Sequence, residues 1–548
     1  MFIKSIKVSN YRSLKDDDYQ VDFAIPNGKP GSGLTIVVGP NNVGKSNLFH
    51  AMDFVFNKTG TDNVKHKQRL DDSTAVQLEF EDEGIEGSID EYVQENKKDS
   101  FKKLVYTKNG NNTFGIQRVF DSKAQYIDIW HENDSKFKNV SGIDGPIEAW
   151  LTFLPLWANT STEEVATYSA KSIINKLLGK IVEEIQNDRD YIGLHEQFEK
   201  IFGGDNKSVL GNKTSTISDE VSELIHEQFA DVGIKFQAEP PKIDQYIKQI
   251  KTLVHDGDET EITEKGNGLQ RAIMIALIQV YAKSLNKGKS KKPFFLFIDE
   301  PELYLNPQAQ KILLKSLRKI ATNEQVFLVT HSPYFIDWVD YTNGAKVGRA
   351  KKINESTIIN CLDPTTDYSS LISGDVQEWQ RPYILGTAAK ELLFADKVLF
   401  LEGQEDVGLT KKWLTETSQE IKFDLFAYGV GGFGNYAAYL RLAKDLGLKK
   451  VAAIYDNGLS ESAKMKTDAT IQPDYLLCQL EANDIRDKFK SCYSCAKCKA
   501  EKYSECTAKN QYKTGCFEES GASKTTSAEY KDFCKKFESV VTFMEKSV

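Results

Sequence analysis

The stretch "VVGPNNVGKSNLF", residues 37–49, decides the fold class. Gly39, Gly44, Lys45 and Ser46 fill the pattern G-x-x-x-x-G-K-S, between an apolar run and a helical one. Glycines at those places let successive backbone N–H groups curl around phosphates. The Lys45 ammonium would then reach the β- and γ-phosphates, and the Ser46 hydroxyl would hold Mg2+. Asn42, inside the loop, and Asn47, in the first turn of the helix, join the candidate nucleotide contacts.

Some 250 residues downstream, "FFLFIDEPELYLNP" is a continuous apolar strand that ends in acids. Asp299 would support Mg2+ and Glu300 would polarise the attacking water. The next apolar strand, "VFLVTHSP", ends at His331, placed to contact a γ-phosphate. Strands alternating with helices predict an α/β fold with a mostly parallel sheet. "AVQLEFED" and "FGIQRVF" read as further strands of the first lobe. Apolar residues recur at helical spacing from about residue 145, so a helical insertion is expected there. Beyond residues 365–380, "KVLFLEG", "FDLFAYGV" and "KKVAAIYDN" read as strands of a second, smaller α/β unit.

The 548 residues predict roughly two to four domains. With 40% hydrophobic and 27% charged residues the chain reads as globular. It has no run of about 18 apolar residues and no secretory leader pattern, so no membrane contact and a cytoplasmic location are expected. A net charge of -9 argues against a uniformly basic nucleic-acid binder but leaves local patches open.

The cysteines are clustered: six of eight lie beyond residue 490. Cys492, Cys495 and Cys498 form C-x-x-C-x-x-C, and Cys506 or Cys516 would complete a tetrahedron. Zn2+ suits four sulfur ligands; an iron–sulfur cluster and free thiols are the alternatives. From Arg486 to Lys513 there are eight Lys/Arg against three acids, interleaved with Phe489, Tyr493, Tyr503 and Tyr512. That mixture suits phosphate contact and base stacking, or simply the soluble surface of a small zinc knob.

These motifs resemble known families. "EKGNGLQRA" resembles the signature loop of ABC-type ATPases of the SMC-like branch, and "EPELYLNP" resembles their D-loop region. The resemblance implies that Gly266, Asn267 and Gly268 cap the γ-phosphate of a second subunit, hence a homodimer or larger homo-oligomer. "KVLFLEGQED" resembles the opening of a TOPRIM domain; Glu402, Asp406, Asp456 and Asp484 would then belong to a site for Mg2+ or Mn2+. Glu402 and Asp456 would be its catalytic carboxylates, and Lys524 in "SGASKTTSAEY" would stabilise transition-state charge. Taken alone, a strand ending in Glu-Gly also fits a surface turn, and Lys524 a solvated lysine.

An ABC head followed by TOPRIM is the order of the OLD (overcoming lysogenisation defect) family. That resemblance implies an ATP-dependent DNA nuclease like those of retron and Gabija-type anti-phage systems, with a reverse transcriptase or a helicase as partner. The expected domains are an ATPase head over 1–145 and 251–375, a helical and dimerising insertion over 146–250, and TOPRIM over 376–548 with a zinc module at about 490–518. Two departures stand out: Asp456-Asn457-Gly458 replaces Asp-x-Asp, and Asp484-Ile485-Arg486 replaces Asp-x-Glu. They keep open a TOPRIM unit that binds nucleic acid without cutting. An SMC-like repair ATPase is disfavoured, since no long heptad segment interrupts the head.

Overall fold

The computed structural model describes residues 1–15, 19–57, 64–82, 84–121, 125–139, 144–160, 188–202, 208–226, 236, 253–285, 293–362, 390, 392–426, 429–457, 475–481 and 528–546. Asp484, Arg486, the five clustered cysteines, Lys524 and the expected boundary at 365–380 lie outside the described residues. The chain divides into two compact units, Met1–Ala158 with Lys292–Val548, and Asn159–Lys291.

Among the described residues the first unit holds three sheets. The antiparallel one contains β1 (Phe2–Ser9), β2 (Tyr19–Asp22), β4 (Thr74–Glu81), β5 (Tyr106–Lys108), β6 (Asn111–Phe120), β7 (Gln125–His131) and β8 (Lys136–Asn139). Buried and half-buried residues alternate along β4, the period-2 pattern of a sheet with one face on the core. The second sheet contains β3 (Leu34–Val38), β9 (Thr152–Leu156), β10 (Phe294–Asp299), β11 (Gln325–Val329), β12 (Lys346–Ile353) and β13 (Ser356–Cys361). Its order is β13-β12-β3-β11-β10-β9, parallel throughout except for the β12–β13 hairpin. Strands β3, β10 and β11 are buried at every position, as a sheet covered on both faces requires. The mostly parallel sheet predicted by strand–helix alternation is this second sheet, and the strands read at "AVQLEFED" and "FGIQRVF" form part of the antiparallel one. Strand β9 carries the head's sheet past residue 145, the expected end of its first part.

Helix α1 (Lys45–Asn57) lies between these sheets. Phe49 stacks on Phe297 at 4.4 Å between ring centroids, and Phe56 on Phe153 at 5.1 Å. Each fully buried side chain of this kind contributes about 1.5–3 kcal/mol. The helix start is thus held against the ends of β3 and β10, the placement a phosphate loop needs.

The third sheet is wholly parallel: β14 (Lys397–Phe400), β15 (Asp424–Leu425), β16 (Lys450–Tyr455) and β17 (Leu476–Gln479), in the order β15-β14-β16-β17. Helix α2 (Pro307–Ile320) belongs to the head; α3 (Gln404–Glu416), α4 (Tyr436–Asp445) and α5 (Ala528–Glu545) belong to the third sheet. Trp413 of α3 packs edge-on against Phe533 and Phe537 of α5, closing a core that includes Leu399 and Ile454. Arg349 of β12, buried, donates to the Ala395 carbonyl at 2.6 Å and to Asp396 at 2.9 Å, and Lys351 donates to the Gly447 carbonyl at 2.9 Å. These contacts fasten the head's edge hairpin to the third sheet.

The second unit contains the helices Arg189–Phe202, Val209–His226 and Asn267–Leu285 and a hairpin of Leu253–His255 with Glu259–Glu261. No helix among the described residues is long and apolar enough to cross a membrane.

Candidate functional site: a phosphate loop and a carboxylate sheet edge

The phosphate loop runs from the end of β3 into α1, and two of its glycines are required by geometry. Gly39 has φ +139° and Gly44 φ +91°, a region costly for other residues. A Cβ at Gly39 would strike the Ala350 carbonyl of β12, and one at Gly44 would strike the Ser13 and Thr357 hydroxyls. Asn42 adopts φ +61°, which asparagine tolerates better than most residues.

The Lys45 ammonium donates to the carbonyls of Gly39 at 3.2 Å and Pro40 at 2.8 Å. Burial lowers its pKa to about 8, against the opposing pull of Glu300, Asp299 and Glu302. Phosphate would replace those carbonyls and favour the charged form again. The Ser46 hydroxyl lies 3.1 Å from both Asp299 oxygens. Burial raises the Asp299 pKa to about 6, although the Ser46 hydrogen bond and Lys45 pull it down. Ser46 and Asp299 together form the hard-oxygen pair that would hold Mg2+ beside a nucleotide.

Glu300 has φ +46°, and its N–H donates to the Val329 carbonyl at 2.8 Å. A non-glycine residue in that conformation costs about 1–3 kcal/mol and marks a functional position when its surroundings hold it there. It turns the chain directly after Asp299, at the edge of the sheet. His331, one residue beyond Thr330 at the end of β11, is made harder to protonate by burial and by Lys45. Sequence position alone had drawn no attention to Glu302, yet it accepts from Thr330 and His331. Its only local sign was a third acid after Asp299-Glu300-Pro301.

The loop's outer shoulder is built from distant residues. Asn47 donates to Ser13 at 2.6 Å, Arg12 donates to Asn47 at 3.5 Å, and Ser13 shares a hydrogen bond with Thr357 at 2.6 Å. Thr357 donates to the Val43 carbonyl at 2.6 Å. Ser13 and Thr357 are 344 positions apart, so no local pattern could have paired them.

Gly266, Asn267 and Gly268 lie in the second unit, where the helix Asn267–Leu285 begins. Gln270 donates to the carbonyls of Lys265 at 2.6 Å and Thr263 at 3.1 Å, fixing the turn before that helix. A Cβ at Gly266 would enter open space, so its surroundings among the described residues give no steric reason for glycine there.

The second cluster sits at the C-terminal edge of the third sheet. Phe400 pairs with Ala453 in register, so Glu402, two residues beyond β14, is level with Tyr455, and Asp456 follows. Ligand sites of parallel sheets lie at this edge. Asp406 stands in the first turn of α3 and accepts from the Gly403 N–H at 2.9 Å. The loop after β15 runs along the continuation of β14: Val430 N–H donates to the Leu401 carbonyl and Gly432 N–H to the Glu402 carbonyl, both at 2.9 Å.

All three carboxylates converge electrostatically on Tyr436, which is wholly buried and donates to the Ile454 carbonyl at 2.7 Å. Burial, then Asp406, Glu402 and Asp456, push its hydroxyl well above the ordinary tyrosine range. Three carboxylates are the donor chemistry of Mg2+ or Mn2+. Among the described residues, however, no group of three or more His, Cys, Asp or Glu is gathered closely enough to hold a metal ion. Asn457, inside the departing Asp-x-Asp, is engaged by Gln479 at 2.9 Å.

Comparison with known proteins places this chain among ATPases and nucleases by similarity. The chain is 26% identical over 434 residues to the "Old nuclease" of Escherichia phage P2, covering 74% of this chain and 68% of that one. It is 24% identical over 494 residues to the "Endonuclease GajA" of Bacillus cereus (strain VD045), covering 85% and 76%. Among solved structures, an Smc head bound to the C-winged helix domain of ScpA aligns with 66% of this chain and 98% of its own, at 12% identity and a TM-score of 0.39. The profile of the AAA ATPase domain matches residues 1–336, from the first strand through the phosphate loop to the histidine segment. The chain belongs to the AAA ATPase domain family.

Proposed function

We propose that this protein is an ATP-binding, divalent-metal-dependent DNA endonuclease of the OLD type, acting in anti-phage defence. The observation that carries the reading is the pairing of two sites in one chain. One is a phosphate loop backed by Asp299 and Glu300; the other is a parallel-sheet edge where Glu402, Asp406 and Asp456 act on one buried hydroxyl. The likeness to Old and GajA nucleases over most of the chain supports it.

In the head, Lys45 neutralises phosphate charge and Glu300 orients the attacking water. ATP would control head geometry or DNA access and not supply the cleavage chemistry, the carboxylate edge belonging to a separate sheet. That edge is read as TOPRIM. Bound Mg2+ or Mn2+ would there supply an activated water and shield the DNA phosphodiester. Glu402, Asp406 and Asp456 would contribute ligands, with Asp484 completing the set and Lys524 stabilising the developing charge. Gly266, Asn267 and Gly268 would serve a second copy of the chain across a nucleotide. Cys492, Cys495 and Cys498, with Cys506 or Cys516, would hold one Zn2+ in a basic module that touches DNA. A reverse transcriptase or a helicase encoded nearby is the partner class that fits this reading.

Cleavage of plasmid DNA in Mg2+ and in Mn2+, with and without ATP, tests the proposal. Cutting by wild type and none by Asp456→Ala is the expected result. A second reading, an ATPase scaffold that binds nucleic acid without cutting, is favoured by Gly458 and Arg486 standing where the family has ligands. DNA left intact in both metals, with its partner present, would establish that reading instead. Elemental analysis should give about one zinc per chain; stoichiometric iron would replace zinc by a cluster.

A further inference from the structure

We propose that Glu302 is a positioning residue for ATP hydrolysis, clamping His331 to the turn that carries Asp299 and Glu300. Its two oxygens are both engaged: one accepts from the His331 N–H at 2.6 Å, the other from the Thr330 hydroxyl at 2.7 Å. Hydrogen bonds to an ionised carboxylate are short and about twice as strong as neutral ones. A carboxylate with both oxygens committed is poorly placed to polarise water, so that role stays with Glu300.

The turn explains why Glu302 can reach. Glu300 sits at φ +46° and Pro301 follows; Leu303 N–H bonds back to the Glu300 carbonyl at 3.2 Å, and Leu305 N–H to the Glu302 carbonyl at 3.0 Å. The chain therefore doubles back beneath the end of β11. A second anchor stands on the other side of His331. Gln310 of α2, itself buried, accepts from the Ser332 hydroxyl at 2.6 Å and donates to the Leu305 carbonyl at 2.8 Å. Residues 330 to 332 are thus bolted at both ends to the segment that follows the acids. The His331 backbone, from which its imidazole is hung, cannot shift without moving Glu302 or breaking a charge-assisted bond. Glu302 also acts electrostatically on Lys45, Asp299 and His331, which places it inside the same charged site.

The inference rests on the ATP-hydrolysis half of the proposed function and not on DNA cleavage. Its test is steady-state ATP turnover and equilibrium binding of a fluorescent ATP analogue by the full chain. Glu302→Gln, Glu302→Ala, Thr330→Val, His331→Ala and the Glu302→Gln/His331→Ala double variant are compared. Glu302→Gln preserves shape, so it tests the clamp even where Glu302→Ala folds poorly. Misplacing a group by about 1 Å costs up to about a hundredfold in rate. Glu302→Gln should therefore lower kcat by about tenfold to a hundredfold, with nucleotide affinity within about threefold of wild type. Thr330→Val removes one of the two bonds and also the acceptor of the Ser332 N–H, so it should lower kcat as well, again with nucleotide affinity kept.

The double variant should turn over no more slowly than His331→Ala alone, because residues acting through one another are not additive. Wild-type kcat in Glu302→Gln would overturn the inference. So would an equal loss on the His331→Ala background, which is the mark of a general structural role, or loss of nucleotide binding. A wild-type rate for His331→Ala would remove the histidine's role and the clamp with it. Wild-type protein that turns over no ATP would overturn the hydrolysis reading and this inference together, whereas turnover with unaffected variants would overturn only the clamp.

Discussion

The nucleotide site and the carboxylate edge are both built at strand ends, but their charges are arranged differently. In the head, Lys45 and His331 stand among Asp299, Glu300 and Glu302, and hydrogen bonds knit loop, strands and turn together. At the third sheet's edge, three carboxylates act electrostatically on one buried tyrosine hydroxyl, which donates to a backbone carbonyl. A mixed site is ready for an anion accompanied by its cation. A site of one sign requires cations before a phosphodiester can approach. The difference teaches that the two sites would need different company for a phosphate: the first has its own positive charge, and the second would have to import it.

The largest effect expected from this contrast is on DNA cutting. Glu402→Ala or Asp456→Ala should lower cleavage by about 10³-fold or more, since a bound metal supplies several kcal/mol to the transition state. ATP turnover should remain near wild type in both. Equal loss of ATP turnover would show that the sites are not separate, and the comparison would collapse.

Next, Glu300→Gln should slow ATP hydrolysis by about 10²–10³-fold, within the range for losing a general base, while keeping nucleotide bound. Lys45→Ala should instead abolish tight nucleotide binding. Hydrolysis at the wild-type rate by Glu300→Gln would move the base elsewhere.

A pH series sharpens the head's side of the contrast. Burial depresses Lys45 to about 8, and phosphate binding requires the ammonium. Below about pH 8 Lys45 is charged and affinity is full. Above it the free protein must take up a proton to bind, so affinity should fall by up to about tenfold per pH unit. Calorimetric ATP titrations in buffers of different ionisation enthalpy from pH 7 to 9.5 would report that proton directly. A flat affinity profile would contradict the burial argument.

The smallest effect serves as a control. Asn306 caps α2 by accepting from the Ala309 N–H at 2.9 Å, with Pro307 at the first helical position. Asn306→Ala should cost about 1 kcal/mol of stability, read as a lower thermal midpoint, and leave ATP affinity unchanged. Loss of ATP affinity would mean that α2 communicates with the site more strongly than its capping role allows.

The sequence by itself determined the local chemistry. The phosphate loop announced itself because its glycines, lysine and serine fall within eight residues (39–46), and the two apolar strands that lead to Asp299 and His331 were legible because full burial leaves an unbroken apolar run. The strands before Glu402 and Asp456 were legible for the same reason. Tertiary structure alone decided the rest. It split the head into an antiparallel and a parallel sheet, since pairing partners are chosen by packing across α1 and not by any strand's own pattern. It added β9 to the head, because membership of a sheet depends on what lies beside Phe294, 142 positions after Thr152 (294 − 152). It also brought Ser13 and Thr357 to the phosphate loop, Glu302 to His331, and Tyr436 within the electrostatic reach of three carboxylates. A hydrogen bond is set by distance in space, and a linear sequence records that distance only where the partners are neighbours along the chain.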